Sequence, residues 1–423
     1  MKPTSSDSCD GIEHVANAFE ADAESHAPTS GAAGTPTGPL AGIRVLDLSL
    51  FMVGPWAAML LGSLGADVLH VEQPDISWDQ LAANVPPTIN GTSIGYLSWN
   101  MNKRGVGIDL KDEADLSFFY ALVGTCDVLI TNMRTGVAER LGFGYDRLHD
   151  LNPRLIYCQA TGYGTSGPRA RQRGSDDALQ ALSGCWTTQG ARDGLGEMYR
   201  FATQIDGTSG NVMAQAVLLA LFARKRTGRG QLVEVTMLDA AATLQTPRLA
   251  EHVAGVRHAP QGSSAYCAAP DRAFECSDAY WIGVSAVNES DWEQLCNALT
   301  RPDLLTDSRF TNNVQRVKHR NVLENILEAE FRLRPSAYWE HQLSCNRVPW
   351  GSPLRWGVLK YHQQVTANNY VMNVPTAAWG RVWTGGPPWH FSSTPARVFG
   401  PPIPGIDTWS IQEEIQWSDR MNT

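Results

Sequence analysis

The sequence predicts an α/β protein, in which a large domain built on a parallel sheet is joined to a smaller α+β domain. At 423 residues, the chain exceeds the size at which a single hydrophobic core stops growing. Short apolar runs of high strand propensity alternate with helical stretches through its first half. From about Arg257 the pattern changes to hairpin-like alternation and amphipathic helices. Alternating strands and helices are typical of a doubly wound sheet covered on both faces.

The first β-α-β unit is the stretch "GIRVLDLSLFMVGPWAAMLLGSLGADVLHVE". A strand is predicted from Ile43 to Leu48, a helix from Gly54 and Pro55 onward, and a second strand after Gly65. Further buried strands are predicted at "GVGIDL", "DVLIT", "RLIYCQATGYG" and "LVEVT", with a helix at "EADLSFFYALVGT". We therefore expect a Rossmann-like sheet, whose ligands bind at the carboxyl ends of its strands.

Composition predicts where the ordered regions begin and end. Residues 1–38 are rich in Ser, Thr, Ala, Gly, Pro and acids, which predicts a disordered leader. This segment lacks the basic start and apolar core of a signal peptide. The predicted units after it are the first part of the large domain, the small domain, and a segment that returns to the large domain: 39–229, 230–335 and 336–423.

Charge and motifs disfavour several classes of function. The formal charge is −9, with no dense basic block, so a nucleic-acid partner is not expected. Apolar stretches look too short or too interrupted to span a membrane. No Gly-x-Gly-x-x-Gly follows the first strand, and no Gly-Lys-Ser/Thr loop occurs, which disfavours dinucleotides and nucleoside triphosphates. The eight cysteines are scattered and form no metal-ligand pattern, so reduced thiols in a cytoplasmic protein, without a metal, are predicted.

Asp206 stands directly before a long apolar run that ends in a basic cluster and Gly228. Local sequence favours an N-cap role, since Asp accepts the first free amide donors of a helix. The same position has chemical consequences, because a helix start keeps a carboxylate ionised, and Gly207 and Gly210 allow close approach of a ligand. Such an anion can attack an activated acyl group. The two interpretations do not exclude each other.

Several stretches together carry a resemblance to a known family. They are "NMNKRGVGIDLK", "CDVLITNMRTGVAERLGFGYDRLHDLNPRLIYCQATGYGTSGP", "DDALQALSG", "ARKRTGRGQLVEVTMLDA", "APDRAFECSDAYWIGVS" and the first β-α-β unit. In unbroken order over about residues 39 to 405, the chain resembles the family III CoA-transferases, the formyl-CoA and carnitine CoA-transferase group.

The resemblance implies that Asp206 is the catalytic acid of a CoA transfer from an acyl-CoA donor to a carboxylic acid acceptor. The implied intermediates are an aspartyl mixed anhydride and an aspartyl-CoA thioester, with coenzyme A as a substrate and no further cofactor. It also implies an interlocked homodimer, whose active site lies between the large domain of one subunit and the small domain of the other.

The resemblance also implies a set of residues that contact CoA: Met52, Val53, Lys111, Asn132, Met133, Arg140 and Asp176. For Lys111 and Arg140 a solvated surface charge remains an equal alternative. The "NKRG" motif at Asn102 to Gly105 also recurs in the family, and a loop before a strand explains it at least as well as direct contact does. The Gly262 to Ser264 stretch is a weak counterpart of the family's glycine loop, which shields the anhydride.

Substrate and reaction type stay open. Met52 stands where formyl-CoA transferases carry a Gln, and with the apolar Leu50, Phe51 and Val53 it favours a medium or bulky acid over formate or oxalate. The fold also hosts α-methylacyl-CoA racemases, which carry a Gly-His-Asp triplet where this chain has Gly174, Ser175 and Asp176. Ser lacks a pKa suited to general-base work, which disfavours a racemase. A non-catalytic acyl-CoA binder is the third alternative.

Overall fold

The computed structural model describes residues 38–74, 85–188, 190, 203–255, 262–265, 267–354 and 357–422. Its strands are β1 (Arg44–Asp47), β2 (Asp67–Glu72), β3 (Thr88–Ile89), β4 (Thr92–Ser93), β5 (Arg104–Gly107), β6 (Val128–Thr131), β7 (Ile156–Thr161), β8 (Leu232–Thr236), β9 (Asp271–Glu275), β10 (Trp281–Ser285), β11 (Trp350–Gly351), β12 (Val371–Thr376) and β13 (Gly380–Gly385).

Its α-helices are α1 (Val53–Ser63), α2 (Ile94–Trp99), α3 (Glu113–Gly124), α4 (Val137–Arg140), α5 (Tyr145–Leu151), α6 (Asp176–Leu182), α7 (Gln204–Thr227), α8 (Met237–Leu244), α9 (Thr246–Val253), α10 (Glu289–Ala298), α11 (Asp303–Thr306), α12 (Asn313–Lys318), α13 (Arg320–Phe331), α14 (Ser336–Cys345), α15 (Gln363–Ala367) and α16 (Thr408–Asn422). Short 3₁₀ turns cover Cys185–Thr188 and Leu359–Tyr361.

Six strands form the central sheet in the order β5-β2-β1-β6-β7-β8, and every neighbouring pair is parallel. This confirms the predicted α/β class and its parallel sheet. The order reverses at β1, since the chain adds β2 and β5 on one side of it and β6, β7 and β8 on the other. Connections that leave β1 and β6 therefore diverge at the carboxyl edge, which opens a crevice of the kind where ligands bind in such sheets.

Both faces of the sheet are covered, because successive side chains along each strand point to opposite faces. Val45 and Val68 belong to the core that includes α1, α2, α7 and α8. Their neighbours Leu46 and Leu69 belong to the core that includes α3, α5 and α16. Burial on both faces explains why the strands read as nearly continuous apolar runs in the sequence.

A second, antiparallel sheet in the order β11-β10-β9 packs with α10, α13 and α14 around a separate apolar core. In that core the rings of Phe274 and Phe331 stack, with centroids 4.8 Å apart. This is the smaller α+β part of the predicted fold. Strand β8 follows the predicted border at residue 230 but pairs with β7 in the large sheet, whereas α14 and β11 follow the border at residue 335 and pack with the small sheet.

The C-terminal part of the chain covers the open edge of β5. The backbone N–H groups of Gly105 and Gly107 donate to Asp407 Oδ2 at 2.9 Å and to Thr408 Oγ1 at 2.8 Å. Glu414 on α16 pairs with both Arg44 and Arg104. The donors of this edge strand are thereby satisfied within the chain, which removes a template for pairing with another strand.

Helix α7 is long and apolar enough to cross a membrane, judged by length and composition alone. The expectation that every apolar stretch is too short or too interrupted is therefore wrong for this helix. One face of α7 is nevertheless buried in the protein core, and its buried apolar residues include Ile205, Met213 and Val217. Such burial is typical of the core helix of a globular domain.

Helices α1 and α7 touch through Gly210. A Cβ atom at this position would lie 2.9 Å from the carbonyl oxygen of Val53 and 2.9 Å from Cδ1 of Trp56. Only glycine permits this approach, since a backbone oxygen cannot rotate away as a side chain can. The contact brings Met52, just before α1, close to the first turn of α7: a Cβ at Gly207 would lie 3.9 Å from the Met52 Cε atom.

We predict that Gly210→Ala lowers the free energy of unfolding by about 1–3 kcal/mol, because the new methyl group must push α7 away from α1. The matched control is Gly207→Ala in the same helix, where the new methyl group makes an ordinary contact. This control should be neutral or up to about 1 kcal/mol more stable through its higher helix propensity. Urea unfolding followed by circular dichroism gives both values, and equal stability of the two variants would contradict the prediction.

Candidate active site

The loop that joins β1 to α1, Leu48–Met52, lies at the reversal point of the sheet and is called the switch loop below. It is tied to β6 on the other side of the crevice. The N–H of Leu50 donates to Asn132 Oδ1 at 2.8 Å, and Asn132 Nδ2 donates to the carbonyl of Leu50 at 2.6 Å. Asn132 directly follows β6, so this predicted site residue fixes the loop from the neighbouring strand.

The switch loop contains a strained residue. Phe51 has φ +58°, in the left-handed region, and is 40% exposed to solvent. A bulky residue in this conformation costs free energy, and it persists only where the surroundings hold it. Met52 follows, is almost fully buried, and contributes the carbonyl that accepts the N–H of Trp56 at 2.8 Å. The loop is therefore held in one conformation beside α7.

A buried ion pair lies at the base of the switch loop. Asp47, the last residue of β1, accepts from Lys103 Nζ at 2.8 Å through its Oδ2 atom, and His70 Nδ1 lies 3.0 Å from the same oxygen. Its Oδ1 atom accepts from both the N–H, at 3.1 Å, and the hydroxyl of Ser49. Burial alone would raise the pKa of Asp47, but the charge of Lys103, followed by that of His70, holds this pKa well below its usual range.

The "NKRG" motif is thus explained by a buried contact. The side chain of Lys103 is completely buried, and it also donates to Asn100 Oδ1 at 2.7 Å. The pairing of Asp47 with Lys103 was not predicted from the sequence. The available signal was a charged residue at the end of an apolar strand, in "RVLD", which is rarely buried unless it is paired.

Helix α7 begins at Gln204, after Thr203 with φ +58°, so Asp206 is the third residue of the helix. The interpretation of Asp206 as the N-cap is wrong. The cap comes from another helix: Asp176 Oδ1, at the start of α6, accepts from the N–H of Ile205 at 2.7 Å and of Asp206 at 3.1 Å. Asp206 is half-buried, and its carboxylate does not serve as the cap of its own helix.

Asp176 is itself held by buried polar groups. It is 7% exposed, and its Oδ2 atom accepts from Nε2 of the fully buried Gln180. Trp186 Nε1 donates in turn to Gln180 Oε1 at 3.3 Å. Both carboxylate oxygens of Asp176 therefore bind groups of the protein. Neither Gln180 nor Trp186 was predicted as a site residue from the sequence, although Gln180 lies in the stretch "DDALQALSG".

The other residues predicted to contact CoA lie at different places. Val53 is buried, and its carbonyl faces α7. Met133 is half-buried, and its N–H donates to Thr131 Oγ1 at 3.3 Å. Lys111 and Arg140 are exposed on segments that follow β5 and β6, at the carboxyl side of the sheet. Among the described residues, no hydrogen bond or ion pair joins their side chains to the Asp206 region.

The Gly262 to Ser264 stretch is anchored at both ends. The N–H of Gly262 donates to the carbonyl of Gly190 at 2.9 Å. Ser264 Oγ donates to Glu324 Oε1 on α13 at 3.2 Å. A role in shielding an intermediate stays a prediction. Within the described parts of the chain, no three His, Cys, Asp or Glu side chains converge on a point where a metal ion could bind.

The structure therefore brings Met52, Asn132, Asp176 and Asp206 to the crevice where the strand order reverses. Its chemical features are a carboxylate in the first turn of a long helix, a second carboxylate that orders that turn, and an apolar loop opposite them. The amino end of α7 carries partial positive charge, which stabilises anions placed there. Such a site suits a reaction in which negative charge moves between oxygen and another nucleophile.

Known proteins resemble this chain over most of its length. The family model of CoA-transferase family III matches residues 40–408. Succinyl-CoA:glutarate CoA-transferase of Mus musculus is 30% identical, over 89% of this chain and 86% of its own length. Acetyl-CoA:oxalate CoA-transferase of Acetobacter aceti is 33% identical, over 75% of this chain and 81% of its own.

Solved structures show the same likeness over most of the fold. A CAIB/BAIF family protein from Brucella suis superposes with a TM-score of 0.79 at 26% identity, covering 90% of this chain and all of its own. Rv3272 from Mycobacterium tuberculosis gives a TM-score of 0.77 at 30% identity, covering 88% of this chain and 99% of its own. The chain is a transferase that belongs to CoA-transferase family III.

Proposed function

We propose that this transferase moves CoA from an acyl-CoA donor to a carboxylic acid acceptor, with Asp206 as the nucleophile. The observation that carries the proposal is the placement of Asp206 in the first turn of α7. The backbone there is capped by Asp176, and Met52 of the switch loop lies beside it.

In the proposed reaction, every intermediate is covalently bound to the Asp206 carboxyl group or forms directly from such an intermediate. An oxygen of Asp206 attacks the donor carbonyl carbon, the carbon–sulfur bond breaks, and a mixed anhydride and CoA thiolate result. The thiolate attacks the Asp206 carbonyl carbon and releases the donor acid, which leaves an aspartyl-CoA thioester. The acceptor carboxylate then forms a second anhydride and frees the thiolate, which attacks the acceptor carbonyl and restores Asp206. A carboxylate suits this sequence because it serves first as nucleophile and then as electrophile.

The amino end of α7 supports each of these steps. Charge develops on a carbonyl oxygen in every attack, and the partial positive charge of a helix start stabilises it. The hydrogen bonds from Ile205 and Asp206 to Asp176 fix the direction of this helix start. Reacting groups held in one orientation need less reorganisation on the way to the transition state.

The racemase alternative is disfavoured by the role of Ser175. This residue replaces the His of the racemase triplet, and its hydroxyl caps α6 by accepting the N–H of Ala178 at 3.4 Å. A hydroxyl engaged as a helix cap, with no pKa near neutrality, does not supply the second base that α-proton exchange requires.

We further propose a medium or bulky organic acid as the acceptor, in a homodimeric enzyme that needs no cofactor besides its CoA substrates. Support for the acid comes from the apolar Phe51 and Met52 of the switch loop, where a polar pocket for a very small acid would need hydrogen-bond donors. The named activities of the relatives span both glutarate and oxalate. The proposal for this chain therefore depends on the loop.

We predict that Asp206→Ala lowers transfer at least about a thousandfold while CoA affinity changes only a few-fold, because the nucleophile is lost and the binding surface is kept. Turnover is read by mass spectrometry of the CoA esters, and affinity by titration calorimetry. Asp146→Asn is the matched control, since Asp146 also lies in the first turn of a helix but is exposed. Near-wild-type turnover in Asp206→Ala would reject the mechanism.

We predict that Asp176→Ala lowers kcat about 10- to 100-fold, because the first turn of α7 loses the acceptor that orients it. Loss of this helix cap should also lower the free energy of unfolding by about 1 kcal/mol. Asp176→Asn keeps an oxygen for the two N–H groups and should lose less. Steady-state kinetics and thermal unfolding of both variants test this. An Asp176→Ala enzyme with unchanged kcat would show that the cap does not orient Asp206.

We predict that five- and six-carbon acids give a kcat/KM at least about tenfold above that of formate or oxalate, since each buried methylene adds favourable transfer free energy. A panel of acceptors, tested against acetyl-CoA and succinyl-CoA as donors, measures the ratio. A preference for formate or oxalate would overturn the proposed acid class and leave the transfer mechanism standing.

A further inference from the structure

We propose that Lys103 is a positioning residue for transfer at Asp206: its buried ion pair with Asp47 holds the switch loop against the first turn of α7. This inference rests on the proposed function of Asp206. Lys103 takes no part in the covalent steps proposed above, and its side chain is completely buried. Its effect on the reaction must therefore pass through other groups.

The first step in that path is the pair itself. Lys103 directly precedes β5 and reaches Asp47 on β1, two strands away in the sheet. Both side chains are 0% exposed, and their atoms lie 2.8 Å apart. A buried ion pair contributes little net stability compared with apolar residues of the same volume, whereas removing one partner is strongly destabilising. The pair is thus poorly explained as a device for stability alone.

The second step is that the two oxygens of Asp47 bind different partners. The Oδ2 atom faces Lys103 Nζ and His70 Nδ1, and the Oδ1 atom accepts both the N–H and the hydroxyl of Ser49. Hydrogen bonds to an ionised carboxylate are stronger than those to a neutral carboxylic acid, so the charge of Lys103, which keeps Asp47 ionised, strengthens the two bonds to Ser49. The charge of Lys103 thereby helps to fix the position of Ser49, the second residue of the switch loop.

The third step joins Ser49 to the site. The side chain of Ser49 packs directly on the backbone of Gly54 in the first turn of α1, where no Cβ atom would fit. Leu50 is held by Asn132, and Phe51 keeps its strained left-handed conformation between these anchors. Met52 comes next, beside Gly207 and hence next to Asp206. Loss of the Ser49 anchor lets the loop relax at the side of the site where the acyl group must fit.

Other titratable groups face the pair and must be separated from it in a test. His70 lies between two acids, with Nδ1 at 3.0 Å from Asp47 Oδ2 and Nε2 at 3.9 Å from Glu72 Oε1. The hydroxyl of Tyr96 donates to Glu72 Oε1 at 2.8 Å. A variant that removes the Asp47 carboxylate and keeps His70, Glu72 and Tyr96 separates the contribution of Asp47 from that of these neighbours.

The experiment measures the single-turnover rate at which Asp206 gains a CoA adduct, by mass spectrometry of the full-length chain. In Lys103→Met we expect this rate and kcat to fall about tenfold or more, with the dissociation constant for CoA within about threefold of wild type. The neutral double variant Asp47→Asn/Lys103→Met restores charge balance and keeps an oxygen for the Ser49 N–H. It should recover at least half of the loss on a logarithmic scale.

The pH dependence gives a signature that a merely structural role would not produce. Without Lys103, burial raises the pKa of Asp47 above its value in the unfolded chain. In this variant Asp47 is therefore neutral at low pH and ionises as pH rises through its raised pKa. Ionisation restores the charge-assisted bonds to Ser49, so the adduct rate of Lys103→Met, relative to wild type, should rise between about pH 5 and 8. The double variant should show no such rise, because an amide in place of the Asp47 carboxylate does not titrate.

Each outcome supports or overturns the inference. An adduct that forms equally fast in Lys103→Met and wild type overturns the positioning role and leaves the proposed function intact. No adduct in wild type overturns the proposed function, and the positioning role with it. Should Lys103→Met not fold, Ser49→Ala decides: it keeps both charges, and we expect a several-fold slower adduct with little change in unfolding temperature. An unchanged rate in Ser49→Ala overturns the inference.

Discussion

The reversal of strand order at β1 is the constraint on which the rest of this structure depends. Strands β2 and β6 pair with opposite sides of β1. The connections that follow β1 and β6 therefore separate at the carboxyl edge of the sheet. Asn132 closes the base of that gap by exchanging two hydrogen bonds with Leu50. The long helix α7 then meets α1 through Gly210, which places its first turn over the same gap. Every group in the proposed chemistry owes its position to this topology.

Three aspartates near the crevice show how environment decides the role of one side-chain type. Asp47 is buried and paired with Lys103, and it accepts from Ser49 in the switch loop. Asp176 is buried among N–H donors and Gln180, so its charge orders the start of α7. Asp206 is half-buried at the positive end of that helix. Two carboxylates thus bind backbone groups, and the third is the one that we propose as the nucleophile.

The sequence predicts much of this arrangement, and its failures have physical causes. The strand pattern of β1, β2, β6 and β7 was readable because strands buried on both faces are apolar throughout. The N-cap interpretation of Asp206 failed because the true acceptor, Asp176, lies on a different helix. Local propensity rules describe neighbours in sequence and cannot report a cap supplied from another element. Hydropathy also marks α7 as long and apolar enough to cross a membrane, since length and composition do not distinguish a lipid environment from a protein core.

The "NKRG" motif illustrates the same limit in a functional context. In the sequence, Lys103 resembles any loop cation, and a surface position is the ordinary expectation for lysine. Its partner Asp47 lies 56 residues away, and the two meet only because β5 and β1 flank β2 in the sheet. Once the sheet forms, the lysine side chain is completely buried, and its burial is tolerable because Asp47 and Asn100 both accept from it. A buried lysine destabilises the core unless it is paired. The proposed role of Lys103, which is to hold the switch loop through Asp47 and Ser49, accounts for a charged residue at this buried position.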